Sequence, residues 1–477
     1  MRSITRRAAL GTAVAAVVPK YLRAEPAVIL NDASQLNPTP VARHVVVQTD
    51  HEAAIERLRA ELRAATLAGR PVAVGVARHS MGGQSLVRNG TALTFEGHAC
   101  VPDRAASTYR VTAGTRWRDV IAALDPLGFS PAVMQSNSDF GVSSAFSVNS
   151  HGWPVPRGPV GTTVRTVRMM LADGSVVTCS RHHEGELFRH AMGGYGLFGI
   201  VLDLEVEMVP NVALSPTFEP VSAAGIAARL VAVAQDPTVR MAYGRLDVAR
   251  PHLLQRGLLI SYRLTPGHGT LPPANPGTIG PALARQVYRG EVGSDFGKRF
   301  RWFMETAVGP RIAAGMVTRN SLLNEPVSVL AGRDPKRTDI LHEYFLPPDG
   351  VPAFLQACRE IIPASRQDFL NITLRFVAAD QDSVLAYATA ARVSAVMSFA
   401  QAKTDEAEAD MKRLTRALTD RVLALGGSFY LPYRLHAEPR QVAQAYPGLA
   451  GFMACKDRYD PRRLFQNALW ERFTKAA

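Results

Sequence analysis

PVAVGVARHSMGGQ, residues 71 to 84, is the stretch on which the fold turns. It opens as a buried strand, because its valines at 72, 74 and 76 are β-branched and nothing charged interrupts them. It then runs into a glycine turn. Glycines at 75, 82 and 83 let the backbone take positive φ and let its N–H groups face an anion with no Cβ in the way, so the turn can cradle a pyrophosphate. His79 stands in the middle, a neutral nucleophile near pH 7. On these residues alone a second reading stays open, in which the histidine only caps a loop.

Outward from this stretch the pattern is strand, helix, strand. HVVVQT (44 to 49) precedes AAIERLRAELRAATLAG (53 to 69), whose Ala54, Ile55, Leu58, Leu62 and Ala65 keep one face inward, with Gly69 as the stop. A Pro/Asn-rich link, 31 to 40, comes before it. From 91 to 210 short strands dominate: YRVTAG, TVRTVRMMLADGSVVTCS with a turn at Asp173-Gly174, and GIVLDLEVEMVP. Residues 213 to 430 read as a second α+β unit, with helices AAGIAARLVAVAQ and TDEAEADMKRLTRALTDRVLALGG and strands DILHEYFLP and NITLRFVAAD. A Pro/Gly-rich insertion, 264 to 281, reads as a surface loop or lid.

Bulk composition narrows the classes. A chain of 477 residues, 47% apolar and 20% charged, folds around more than one core. Its net charge of +13 comes from arginines scattered along the chain, not clustered with aromatics, which speaks against nucleic acid. Either a solvated basic surface or affinity for anionic ligands accounts for it. Cys100, Cys179, Cys358 and Cys455 form no CxxC pair, so neither a metal site nor a redox pair is signalled.

The chain opens MRSITRRAALGTAVAAVVPK. The apolar run from Ala8 to Val18 is too short for a bilayer core of about 30 Å, so no stable membrane anchor is expected. Arg6-Arg7 before an alanine-rich stretch resembles a twin-arginine export signal, which implies a periplasmic or secreted protein. An ordinary secretory signal or an amphipathic helix is the alternative.

Two further segments carry chemistry. In SNSDFGVSSAFSVNSHGW (136 to 153) small and hydroxylated residues crowd too densely for a core strand or an ordinary turn, which suits backbone packed on a ligand. Ser143, Ser144, Ser147 and Asn149 offer hydrogen-bond groups there, and His151-Gly152 ends the run. A solvated serine-rich loop is the competing reading. ELFRHAMGGYGLFGIVLDLEVEMVP (186 to 210) contains a literal GxGxxG at Gly194, Gly196 and Gly199. It follows a helical stretch and precedes a strand, the reverse of the dinucleotide fingerprint, which excludes a nicotinamide fold.

Together the three segments resemble the FAD-linked oxidases that share the vanillyl-alcohol oxidase or p-cresol methylhydroxylase (PCMH) type of flavin domain, with more distant likeness to cytokinin dehydrogenases. The strand and R-H-S-x-x-G-Q, the run ending N-x-H-G, L-A-D-G, and E-L-F with G-G-x-G-x-F-G-I occur in the family's order. The closing KDRYDPRRLFQN, 456 to 467, is similar as well. The resemblance implies an α+β fold: a PCMH-type flavin domain of two subdomains plus a substrate domain with an antiparallel sheet. The implied limits are 1–30 for the export signal and linker, 38–212 for the flavin domain, 213–430 for the substrate cap, and 431–477 for a segment returning to the flavin domain.

The resemblance also implies FAD as cofactor, contacted by Gly75, Val76, Ala77, Arg78, His79 and Ser80, with Gly83 and Gln84 beside them. Ser136, Gly141, Ser147, Asn149 and His151 come from the second segment, Gly199 and Ile200 from the third, and Asn467 from the end. His79 matches the histidine that many members join to the flavin 8α-methyl. No cysteine stands between 136 and 144, so a second attachment is not expected. LRFVAAD (374 to 380) is similar to the catalytic strand of alditol and aldonolactone oxidases, and Arg375 matches its arginine. Thr373 replaces the glutamate of that pair. The base is then sought at Glu343 or His436, with Tyr430 and Tyr433 as further groups facing the ring.

The implied activity is hydride transfer from a small polar substrate (an alcohol, polyol or lactone) to flavin N5, with oxygen or another acceptor reoxidising the flavin. Two alternatives stand beside it: a dehydrogenase feeding a quinone or cytochrome, and an exported binding protein that keeps a flavin fold without catalysis.

Overall fold

The computed structural model describes residues 28–474 except 49–51, 268, 275–280, 314 and 328–333. The twin-arginine-like segment lies outside the described residues, as does part of the Pro/Gly-rich insertion. The fold is α+β. Three parallel strands, Arg43–Gln48, Thr91–Glu96 and Val72–Gly75, make a small sheet with Thr91–Glu96 at its centre. The helix Ala53–Leu67 buries Ala54, Leu58, Leu62 and Ala65 against Val45, Val47, Leu93 and Phe95, so its apolar stripe pins the crossover.

The last residues of the chain complete this unit. Val72 donates its N–H to the carbonyl of Leu464 at 2.7 Å and accepts from Gln466 at 3.0 Å, while Phe465 is buried in the same core. A buried ion pair, Lys456 with Asp460, fixes the approach, and the Asp460 carboxylate accepts from the N–H groups of Leu464 and Phe465.

A six-stranded sheet follows, in the order Val176–Ser180, Val164–Met170, Ile200–Pro210, Thr108–Thr112, Cys100–Asp103, with Phe129–Pro131 also on Ile200–Pro210. The hairpin at Asp173-Gly174 turns through a left-handed Gly174 with φ of 84°. An eight-stranded antiparallel sheet occupies the rest: Val317–Thr318, Ala213–Ser222, Arg256–Leu264, Val239–Leu246, Asp368–Val377, Arg392–Ala402, Arg337–Leu346 and Ser428–Phe429. Helices Val351–Ile361 and Asp405–Ala424 carry apolar stripes buried in the main core.

The serine-rich run differs from its expected irregular form, because Val142–Ser147 is a short helix. Val142, Ala145 and Phe146 are buried, and the hydroxyls turn back to the backbone: Ser143 Oγ donates to the Ala113 carbonyl at 2.7 Å and Ser147 Oγ to the Ser143 carbonyl at 2.9 Å. The cysteines are free thiols, with Cys179, Cys358 and Cys455 buried. No helix among the described residues is long and apolar enough to cross a membrane.

Candidate active site

A cavity of about 1210 Å³ lies where the glycine turn, the Val142–Ser147 helix and the eight-stranded sheet converge. Its first wall is the turn itself. Gly75, Val76, Ala77, Arg78, His79 and Ser80 line it, with Gln84 and Ser85. Arg78 takes a left-handed φ of 50° and donates from Nη2 to Thr94 Oγ1 at 2.6 Å, and burial lowers its pKa. Gly82 is obligatory: a Cβ there would stand 2.4 Å from the Tyr433 carbonyl oxygen. Gln84 holds the same approach by donating to the carbonyls of Leu431 and Tyr433.

His79 stacks on Phe140 with ring centroids 4.2 Å apart. Burial pulls its pKa below the ordinary imidazole value; the Asp139 carboxylate opposes the shift and Arg116 adds to it. The ring is therefore neutral at physiological pH, the form in which a nitrogen lone pair is available.

Ser136, Gly141, Ser147 and His151 line the second wall and Gly199 the third. Four expected contacts are not brought to the cavity. Asn149, at a left-handed φ of 46°, accepts from the Gly161 N–H and donates to Asp380 at 2.7 Å, so it clamps the loop to the cap sheet. Gly83 gives its N–H to Asp32, Asn467 donates to the Tyr195 carbonyl, and Ile200 is buried in the core of the parallel sheet. These four shape the wall from behind.

The fourth wall is the cap sheet. Glu343 and Arg375 meet residues of the flavin segments there. The carboxylate of Glu343 lies 2.5 Å from His151 Nε2. Arg375 Nη2 donates to Ser136 Oγ at 2.7 Å. Burial drives the Glu343 pKa up, but the charge and hydrogen bond of His151 and the charge of Arg375 more than reverse this, leaving it below the ordinary carboxylate value. Burial and the adjacent Glu343 push the Tyr433 hydroxyl far up, so it stays protonated.

Thr373 and Glu343 are both paired with Val396, one from each side, so they occupy one row of the sheet two strands apart. Directly opposed residues share a face, so the Glu343 carboxylate stands on the same face as Thr373. His436 has no such place. It is buried between Glu408, 2.8 Å from Nε2, and Thr415, 2.9 Å from Nδ1, away from the cavity lining.

Arg245, Arg301, Glu305, Trp153, Tyr243 and Tyr262 also line the cavity and belong to none of the motifs. Their only sequence signal is alternation: Tyr243 with Arg245, and Ile260 with Tyr262, stand two apart on strands and so share a face.

The residues present suit a large phosphorylated cofactor. Arg78 Nε and Ser85 Oγ are buried on the first wall with no hydrogen-bond partner among the described residues, as is Arg375 Nε on the fourth. Buried donors in native proteins are almost always satisfied, so these point to a ligand that accepts from them. No cluster of three metal-ligating side chains occurs among the described residues.

Comparison with known proteins agrees with this geometry. A family model for an FAD binding domain matches residues 44–180. Cytokinin dehydrogenase 2 of Arabidopsis thaliana is 32% identical over 128 residues, 26% of this chain and 25% of the relative. The putative D-arabinono-1,4-lactone oxidase of Neurospora crassa is 29% identical over 105 residues, 22% and 19% of the two chains. Alditol oxidase of a Streptomyces species is 28% identical over 153 residues, 30% and 36% of the two chains. The chain thus matches only about a fifth to a third of the length of these relatives.

Proposed function

We propose that this chain is an FAD-dependent oxidoreductase that takes hydride from a carbon bearing a hydroxyl group, a reading supported by the FAD binding domain match over residues 44–180 and by its distant likeness to the PCMH-type FAD-linked oxidases. The observation that carries this reading is the meeting of Glu343 and Arg375 with His151 and Ser136 in one cavity. Bound flavin supplies the two-electron sink, accepting hydride at N5.

The chain's own residues do the rest. Arg78 and Ser85 offer the unpaired donors that hold the cofactor. The neutral imidazole of His79, stacked on Phe140 at the cavity wall, supports a single bond from this residue to the cofactor. Glu343, ionised at neutral pH, takes the hydroxyl proton, and His151 beside it holds the carboxylate in place. Arg375 offsets negative charge developing on the substrate oxygen. Oxygen or another acceptor then removes the electrons. Arg6-Arg7 supports export of the loaded, folded protein, and fractionation of cells carrying Lys at both positions tests it.

Acid precipitation followed by visible spectroscopy tests the cofactor assignment. Yellow colour should stay with the pellet and move to the supernatant in His79→Ala. Flavin wholly in the wild-type supernatant rules out the covalent bond, and protein that stays colourless after incubation with FAD rules out the flavin reading. Mixing the reduced protein with oxygen separates the acceptors: reoxidation that takes minutes argues for a dehydrogenase.

A further inference from the structure

Beyond the Glu343–His151 pair the cavity continues between two apolar faces. On the sheet side stand Trp153, Phe218, Tyr243, Ile260 and Tyr262. Trp153 lies edge-on to Tyr243 and Tyr262, with centroids 5.1 and 5.5 Å away. Opposite runs a helical stretch from 295 to 312, which turns Met304, Val308 and Ile312 to the cavity.

The polar side chains in this compartment bond one another. Arg245 donates to Asn371, Thr373 and Glu305, each at 2.8 Å. Arg301 donates to Glu305 at 2.9 Å, to Glu291, to Asn371 and to the Leu370 carbonyl. Thr318 and Ser321 pair with each other at 2.8 Å. Glu325 also lines the cavity, its carboxyl pushed toward the protonated form by burial. Arg245, Arg301, Thr318 and Ser321 thus direct donors to one another's neighbours and not toward a polyol with one hydroxyl per carbon, and Glu325 is left as a single polar group on the wall. Each hydroxyl left unpaired on binding loses roughly tenfold in affinity, whereas each methylene removed from water gains about fourfold.

We propose that the substrate is a mainly apolar alcohol, with a ring or chain body lying between Trp153, Tyr243 and Tyr262 on one side and Met304 and Val308 on the other. Its single carbinol group sits at Glu343 and Arg375, whose Nε is buried without a partner among the described residues. This rests on the flavin reading above. The carbinol C–H bond breaks with its electron pair passing as hydride to the flavin, the O–H proton goes to Glu343, and a carbonyl product remains. Dioxygen or a two-electron dye takes the electrons from the reduced flavin. The expectation of a small polyol or sugar lactone gives way to an apolar body with one polar head.

The test compares 4-phenyl-1-butanol with xylitol on the purified full chain, by tryptophan emission, by Tm, and by anaerobic bleaching of any bound flavin. The aryl alcohol should change the emission, raise Tm and bleach the flavin, while xylitol does none of these at the same concentration. The emission change should vanish in Trp153→Phe. Val308→Asp, on the partly exposed helical stretch, should weaken aryl-alcohol binding at least tenfold with an unchanged circular dichroism spectrum; Met304→Glu is the second variant should that one not fold. Flavin-loaded protein that binds xylitol as tightly, or binds neither alcohol, overturns the substrate class and leaves the flavin reading standing. Protein that takes up no flavin yet binds the aryl alcohol through Trp153 overturns the flavin reading alone.

Discussion

Glu343 and His151 meet across 192 positions of sequence, and on the proposed mechanism their contact sets the acid side of the chemistry. Because the folded pKa of Glu343 is depressed, its contribution to stability is fully present above the unfolded carboxylate value, about 4.3, and is lost as pH falls through the lower folded value. Flavin reduction should follow the same group, constant through neutral pH and failing only below the ordinary carboxylate range. Replacing His151 with Asn removes the partner that counters burial, so the acid limb of kcat/KM should move upward. Glu343→Gln should lower the rate of flavin reduction by roughly 10²- to 10⁴-fold with flavin content unchanged. An unaltered rate in Glu343→Gln would assign the base elsewhere. The glycine turn, His79 and Arg375 were legible in the sequence because their motifs are local. The base was narrowed only to Glu343 or His436: which of the two faces the cavity depends on register between strands, and no local pattern encodes it.

At the scale of elements, the flavin turn is held from behind. Gly82 leaves no room for a Cβ beside the Tyr433 carbonyl, and that contact is backbone, which does not yield as a flexible side chain would. Gly82→Ala should therefore displace the turn or the 431–433 segment, lowering both flavin content and Tm. The principal strands and helices were readable from their periodicity. The Val142–Ser147 helix was not, since Ser147 turns its hydroxyl back onto the helix's own backbone and Ser143 hides its own against the Ala113 carbonyl, a bond that exists only once the turn after Thr108–Thr112 lies alongside. Asp460 works similarly, since it neutralises buried Lys456 and receives two backbone N–H groups. Asp460→Ala should cost about 3–5 kcal/mol, read as a lower urea midpoint, because it leaves the buried ammonium unpaired.

In the whole molecule the 136–151 segment and the eight-stranded sheet are fastened inside the cavity by Ser136 to Arg375 and His151 to Glu343, and behind it Asn149 bonds Asp380 in the loop after Asp368–Val377. The cap cannot tilt without breaking the array that would perform proton transfer, which keeps the site pre-assembled. The strands carrying Tyr243 and Tyr262 were not read from the sequence, nor was their convergence with the 295–312 stretch into one compartment, which is a property of packing between distant segments.

The seam between Val72 and residues 464–466 bears on the order of events during synthesis. The strand leading into the cofactor turn is made long before its edge partner, which stands several hundred positions later in the sequence. Domains ordinarily fold as units while the chain grows, N-terminal first, but here the early unit waits for a distant segment. A nascent chain arrested before residue 464 should not retain flavin, and the released full-length chain should. Flavin retention should thereby report whether a growing chain has passed the 464–466 segment.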